Sequence, residues 1–479
     1  MNKDANSQPK TLTRRRFLGV GGAALAGVGG AALAGTRLFG SGGAGQSEKP
    51  NLLFIMTDDM AKWMLEHMPT VLGRIGSQGL TFENFYGAQP LCSPNRASFL
   101  TGRYPHNHTV VNNDTAARQF RDKRLDQDTF ATQLKSAGGY KTGFVGKYFN
   151  GYQARTEKLY FPPGWDYWVG LASDSDPTIG ANVNGTWSDT GVSVSQEAEW
   201  LADRVDGFIR DNAGVPWFCF YGPRGPHGPY TPSAESEHYA DDIPLRRPGN
   251  FNEPDGMGDK PTGVDLRQSA LTERDIADLE VRQEGSLEEL QDIDVQVGRL
   301  LDTLQATGQL ANTYVLFTSD NGLTLGENRQ GGKNWAYEAS AELPLVVRGP
   351  GVGVGTTKAL SSMVDVRATL ANLAGVGDDE AYDGRSVAQL FSGTPATWRK
   401  RLLFERPPSG TGVGWYALHE PPHVYIEWTT GAKELYDLVA DPGELKSLHA
   451  SRPELVSRYS PRLAALKTAQ GDALRQAEV

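Results

Sequence analysis

Residues 284–322 read EGSLEELQDIDVQVGRLLDTLQATGQLANTYVLFTSDNG, and they set the fold class. Leu290, Ile293, Val297, Leu301 and Leu304 recur at helical spacing until Gly308 stops the pattern. TYVLFT follows as a short run apolar on both faces, and Asp320-Asn321-Gly322 closes it. A helix that feeds a doubly buried strand is the repeating unit of a parallel sheet. Working outward, NLLFIM, KTGFVG, WFCFYG and LPLVVRG are runs of the same kind, and Ala198, Leu201, Val205, Phe208 and Ile209 mark a second amphipathic helix. These elements predict an α/β fold, a large mostly parallel sheet sandwiched by helices. From about Trp398 the texture changes to RLLFER, GWYALH, HVYIEW and KELYDL, then a helix through PELVSRYSPRLAALKTAQ. That tail predicts a small antiparallel sheet plus helix.

The boundaries follow: an export signal and linker over residues 1–48, a catalytic domain over 49–397 and a C-terminal α+β subdomain over 398–479. The start of the chain places Arg14-Arg15-Arg16-Phe17-Leu18 before a run of Gly, Ala, Leu and Val. This resembles a twin-arginine export signal, implying the twin-arginine translocase as a partner and a periplasmic or extracellular destination. The run is too glycine-rich for a stable membrane anchor, and small residues allow cleavage after Ala34. Removing residues 1–34 takes away Lys3, Lys10, Arg14, Arg15 and Arg16 against Asp4, so the formal charge falls from −10 to −14. So acidic a chain lacks the broad basic face that nucleic acid requires. An anionic substrate must find a local basic pocket.

Ligands of open α/β sheets gather beyond the carboxyl ends of the strands. Asp58 and Asp59 stand there after NLLFIM, and Asp320 and Asn321 after TYVLFT. Two acidic clusters at one mouth repel unless a cation holds them. Their oxygen donors suit a hard ion, and Ca²⁺, tolerant of irregular geometry, fits better than Mg²⁺. Lys147, His227 and Lys333 follow strand ends or Gly-rich turns and would bring positive charge to the same place. With Arg96 they could hold a tetrahedral oxyanion, since a charge pair at about 4 Å is worth roughly 4 kcal/mol at intermediate dielectric.

The chain has two cysteines. Cys219 lies in an apolar strand-like run and reads as core. Cys92 opens CSPNRASFLTG, a helix start with Pro94 in its first turn, whose free amides favour an anion beside it. A bridge between the two is an unattractive pairing.

Cys92-Ser93-Pro94-Asn95-Arg96, followed by Ala97-Ser98-Phe99-Leu100-Thr101-Gly102, resembles the signature of the formylglycine-dependent (type I) sulfatases of the alkaline-phosphatase-like superfamily. The resemblance continues through TDD at Asp58, GKY at Lys147, PHGPY at His227, TSDNG at Asp320, GKNWAYE at Lys333 and the terminal GAKELYDLVADPGELKSL. It implies that a formylglycine-generating enzyme oxidises Cys92 to an aldehyde. The hydrated aldehyde attacks sulfur, the alcohol leaves, and sulfate is then eliminated from the covalent ester. It further implies that Asp58, Asp59, Asp320, Asn321 and modified Cys92 hold the metal, and that Arg96 holds the hydrate. Lys147, His227 and Lys333 would bind sulfate oxygens, with Lys333 or His227 protonating the leaving oxygen. Asn95 replaces a commoner serine, and Phe149 and Thr324 stand where histidine is frequent.

GRYPHNHTVVNND, GKYFNGY and PPGWDYW resemble the N-acetylglucosamine-6-sulfatase branch, implying a sulfated sugar such as 6-sulfated glucosamine. Alternatives are an arylsulfatase acting on aryl sulfates, a phosphodiester or phosphonate hydrolase of the same superfamily, or a non-catalytic sulfated-glycan binder with unmodified Cys92. His106 and His108 line the substrate cleft or pack beside the helix, and Trp165, Tyr167 and Trp168 stack on sugar rings or pack a loop.

Overall fold

In a computed structural model, the structure describes residues 49–152, 159–172, 177–253, 257, 259–377 and 382–479. The twin-arginine segment and linker lie outside the described residues. From Lys49 onward the described chain packs as one unit.

The first eight strands are β1 (Asn51–Thr57), β2 (Leu80–Tyr86), β3 (Lys141–Gly146), β4 (Tyr167–Leu171), β5 (Thr178–Val183), β6 (Thr186–Ser193), β7 (Trp217–Gly222) and β8 (Thr313–Ser319). A short ribbon, β9 (Thr324–Leu325) with β10 (Gly331–Gly332), precedes β11 (Glu342–Arg348), β12 (Gly355–Thr357) and β13 (Ser361–Ser362). The main sheet runs β12-β2-β11-β8-β1-β7-β3-β4-β5-β6, with β13 beside β2. Its centre, β8-β1-β7-β3-β4, is wholly parallel, with Leu52 of β1 opposite Phe218 on one side and Tyr314 on the other. β11 runs antiparallel to both neighbours, so LPLVVRG is a strand as expected but reversed in direction.

Alternate residues of each strand point to opposite faces, and the core divides accordingly. Leu52, Phe54 and Met56 of β1 face a cluster holding Phe99, Leu134 and Leu370, whereas Leu53 and Ile55 face Leu201, Leu290 and Val297. Helices Cys92–Thr101, Phe130–Ala137 and Val364–Ala374 therefore cover one face, and Glu197–Asp211 and Glu273–Ala306 the other. The second of these starts earlier than its apolar stripe, at a capping box in which Thr272 and Asp275 satisfy each other's backbone N–H groups.

In the tail, β14 (Leu402–Arg406), β15 (Trp415–Glu420), β16 (His423–Trp428) and β17 (Lys433–Asp437) form an antiparallel meander. One of its faces, with Phe404, Trp415 and Ile426, shares a core with Tyr86, Tyr337 and Ala341 of the body. The other packs Leu418 and Tyr425 on Tyr459 and Leu463 of the helix Pro453–Leu466. No helix among the described residues is long and apolar enough to cross a membrane.

Candidate active site

The carboxyl ends of β1, β3, β7 and β8 meet at one mouth because these strands are adjacent and parallel. Asp58 and Asp59 leave β1, Lys147 leaves β3, and Asp320 with Asn321 leaves β8; His227 comes five residues after β7. Backbone bonds fix the convergence: Asp320 N donates to Thr57 O at 3.0 Å and Asp58 N to Gly225 O at 3.2 Å. Asp59 bends the chain here with φ 64°, in the left-handed region where only a local demand places a non-glycine residue.

Cys92 is the first residue of the helix Cys92–Thr101, every residue of which is buried. The helix has no side-chain cap from Leu91; instead Asn113 Oδ1 accepts from Ser93 N at 3.1 Å. Asn150 holds the same residue, its backbone N–H donating to Ser93 Oγ at 3.0 Å. Cys92 Sγ lies 3.3 Å from Asp58 Oδ1 and 2.9 Å from Lys333 Nζ. Arg96, one turn on, donates from Nε to Asp320 Oδ2 at 2.8 Å and from Nη1 to Lys147 O at 2.8 Å. The ammoniums of Lys147 and Lys333 contact Asp58 and Asp59 directly. His227 Nδ1 is 2.5 Å from Gly228 O, which turns Nε2 toward Asp59 Oδ2 at 3.7 Å. Every site residue expected from the sequence is thus in one constellation.

Electrostatics follow from crowding charge in a dry mouth. Burial pushes Asp58 up, but Lys147 above all, with His227, Lys333 and Arg96, outweighs it and holds the carboxyl well below its usual range. Asp320 is pushed up to about 6 by burial and by the negative charge of Asp58, against the pull of Arg96. Burial and then Asp58 push the Cys92 thiol up to about 12.

The donor set can hold a metal ion. Asp58, Asp59, Cys92 and His227 each offer a ligand atom, all within 4.8 Å of one another. Asn321 donates from Nδ2 to Asp59 at 2.7 Å, while its Oδ1 is buried with no partner. Asp320 stands slightly apart, its carboxylate turned to Arg96 and to Asp59 N. An orphaned amide oxygen among carboxylates is the kind of donor that a bound metal ion satisfies.

Several residues placed by the structure were not singled out as site residues from the sequence. Asn95, noted only as a departure, accepts from Ala88 N at 2.9 Å and donates to Asp320 O at 2.5 Å, tying the Cys92 helix to the end of β8. Asn113 and Asn150 clamp Ser93. The histidines and aromatics left open are resolved as packing. His108 is buried against Ser98, and burial lowers it to about 3. His106 bonds Glu405 at 2.8 Å, stitching body to tail. Trp168 stacks on Phe144 inside the core, Tyr167 on Phe208, and Phe149 packs on Phe120.

The Sulfatase family model matches residues 50–376, and a model for the C-terminal part of N-sulphoglucosamine sulphohydrolase matches residues 326–468. The chain belongs to the sulfatase family. It is a sulfuric ester hydrolase. An N-acetylglucosamine-6-sulfatase of Capra hircus is 28% identical over 92% of this chain and 87% of its own length. Among solved structures, one in complex with its substrate D-glucosamine-2-N,6-O-disulfate superposes with TM-score 0.73 at 22% identity, covering 87% of this chain and 97% of that one. A phosphonate monoester hydrolase from Silicibacter pomeroyi superposes with TM-score 0.71 at 22% identity, covering 89% and 96%. At such identities these two likenesses concern the fold.

Proposed function

We propose that this sulfatase cleaves the sulfate monoester of a sulfated amino sugar of the 6-sulfated glucosamine class, with residue 92 acting as formylglycine. One observation carries the reading: Cys92 starts a buried helix with its Sγ 3.3 Å from Asp58 Oδ1 and 2.9 Å from Lys333 Nζ, at the mouth where the other expected site residues converge. The sugar class is supported by the name of the goat relative and by GRYPHNHTVVNND, GKYFNGY and PPGWDYW. As formylglycine, residue 92 supplies an oxygen nucleophile whose second hydroxyl later expels sulfate.

The chain's own residues do the rest. Arg96, pinned by Asp320 and by the carbonyl of Lys147, keeps its buried Nη2 without a hydrogen-bond partner, 3.9 Å from Asp58 Oδ2, and would hold the hydrate at residue 92. Burial lowers Lys147, but Asp58 outweighs it and holds its ammonium above its ordinary value, and Lys333 pairs with Asp59, so both would stay charged to bind sulfate oxygens. His227 or Lys333 delivers the proton to the leaving sugar oxygen. Asp58, Asp59, Asp320 and Asn321, with residue 92, would hold calcium; its charge would acidify the nucleophile and offset that of the sulfate.

On the same reading residues 49–397 form the catalytic domain, 398–479 a C-terminal subdomain, and Arg14-Arg15-Arg16 directs export through the twin-arginine translocase to the periplasm or beyond. Proteins crossing by that route are folded, so oxidation of the fully buried Cys92 by a formylglycine-generating enzyme precedes export. Mass spectrometry of the peptide spanning residue 92, from exported protein of the native host, tests the reading. An aldehyde in place of the thiol is expected, and unmodified cysteine throughout would sink it.

A further inference from the structure

A cavity of about 400 Å³ adjoins the mouth, and His227 is one of its walls. The loop after β7 borders both spaces: Gly225 lines the cavity and accepts the Asp58 N–H, and His227 lines it with Nε2 3.7 Å from Asp59 Oδ2. Glu289 and Ile293 of the helix Glu273–Ala306 form the opposite wall, and Val194 and Pro229 add apolar surface. The volume is in the range of small-molecule sites, about 300–1,000 Å³.

Arg224, Glu197 and Asp292 of this cavity already have hydrogen-bonding partners. Arg224 donates to Glu197 from its backbone N–H and from Nε, both at 3.0 Å. Asp292 accepts from Ser233 N at 2.8 Å and from the hydroxyls of Ser233 and Ser236 at 2.5 and 2.6 Å. Glu289 is different. Its Oε1 accepts from Thr231 N at 2.8 Å, but Oε2 is buried with no partner. Burial pushes this carboxyl up to about 8, so near neutral pH it is an uncharged O–H donor lacking an acceptor. Beyond His227 at the mouth side, an anionic substituent entering here meets only Arg224, which Glu197 already holds, so its desolvation goes uncompensated. A neutral group with hydrogen-bonding oxygens and an apolar face meets both the orphaned carboxyl and the Pro229 and Ile293 surface.

We propose that this cavity is the sugar subsite of the enzyme: it takes the uncharged, hydroxyl- or acetamido-bearing side of the ring whose sulfate lies at the mouth, and Glu289 is its specificity-determining residue. The inference rests on the amino-sugar reading of the substrate and adds that the ring carries no second anion on this side.

The test is steady-state kcat/KM of the formylglycine-bearing enzyme on N-acetylglucosamine 6-sulfate, glucosamine-2-N,6-O-disulfate and nitrophenyl sulfate. The parent enzyme should favour the singly sulfated sugar over the disulfate by roughly tenfold or more. Glu289→Leu should lower kcat/KM on that sugar about tenfold more than on nitrophenyl sulfate, chiefly through KM. Glu289→Gln keeps an acceptor for Thr231 N and a donor for the ligand, so it should recover most of the loss. Equal losses on sugar and nitrophenyl sulfate in Glu289→Leu would make Glu289 a mere prop for the His227 loop and overturn the assignment. Equal turnover of the two sugars by the parent would overturn the neutral subsite. Turnover of nitrophenyl sulfate with neither sugar cleaved would instead overturn the amino-sugar reading, and the subsite with it.

Discussion

Cys92 and Cys219 are both fully buried, and burial raises both thiols above their ordinary range. Cys219 sits in the middle of β7, opposite Leu53 of β1 and Gly143 of β3, and its thiol donates to the Phe220 carbonyl at 3.8 Å. Cys92 sits past a strand end, with an aspartate at 3.3 Å and a lysine at 2.9 Å. Mid-sheet, the ladder consumes the backbone polar groups and apolar side chains fill the rest. At the carboxyl ends the ladder stops, and side chains from β1, β3, β7 and β8 converge with their polar groups incompletely paired. Orphaned atoms mark the second region: Arg96 Nη2 and Asn321 Oδ1. Burial of a thiol therefore says little about its use; what surrounds the sulfur decides it.

The comparison breaks first at Cys92. Cys92→Ala should reduce sulfate-ester turnover by roughly a thousandfold or more, because a covalent route loses its nucleophile. Residual turnover within tenfold of the parent would place the chemistry elsewhere. Lys147→Ala should cost about a hundredfold, in kcat more than KM, as expected for a donor aimed at charge that develops in the transition state. A loss confined to KM would reduce Lys147 to a ground-state contact.

The same contrast explains what was legible in the sequence. β1, β3, β7 and β8 could be read because each is a short apolar run buried on both faces, and the acids that end them are conspicuous against it. The Cys92 helix was legible from Pro94 and the polar start. β5 and β6 were missed although Asn184-Gly185 joins them, both at positive φ, an Asn-Gly turn signal that reading the apolar runs alone overlooked. The start of the Glu273–Ala306 helix was missed because its first turns face solvent and its signal is the Thr272–Asp275 cap rather than an apolar stripe. The direction of β11 has no local signature at all. Asn95, Asn113 and Asn150 were hidden for another reason: asparagine is common in loops, and their work is done with partners set by the fold, such as the Asp320 carbonyl. His108 misled in the opposite sense, since a polar letter near the signature proved to be neutral core.

The smallest effect belongs to Cys219 and sharpens the contrast most directly. Cys219→Ala removes one sulfur from the buried cluster that also holds Leu201 and Val315. The lost contacts and small void should cost about 1 kcal/mol, read as a lower urea midpoint at unchanged slope. Turnover at saturating substrate should stay within about twofold of the parent, because no polar atom of the mouth touches this thiol. A loss of turnover comparable to that of Lys147→Ala, with the midpoint unmoved, would mean that packing in the middle of β7 sets the position of the His227 loop at its end. The division between an inert sheet interior and a reactive mouth would then fail, since one continuous strand carries both.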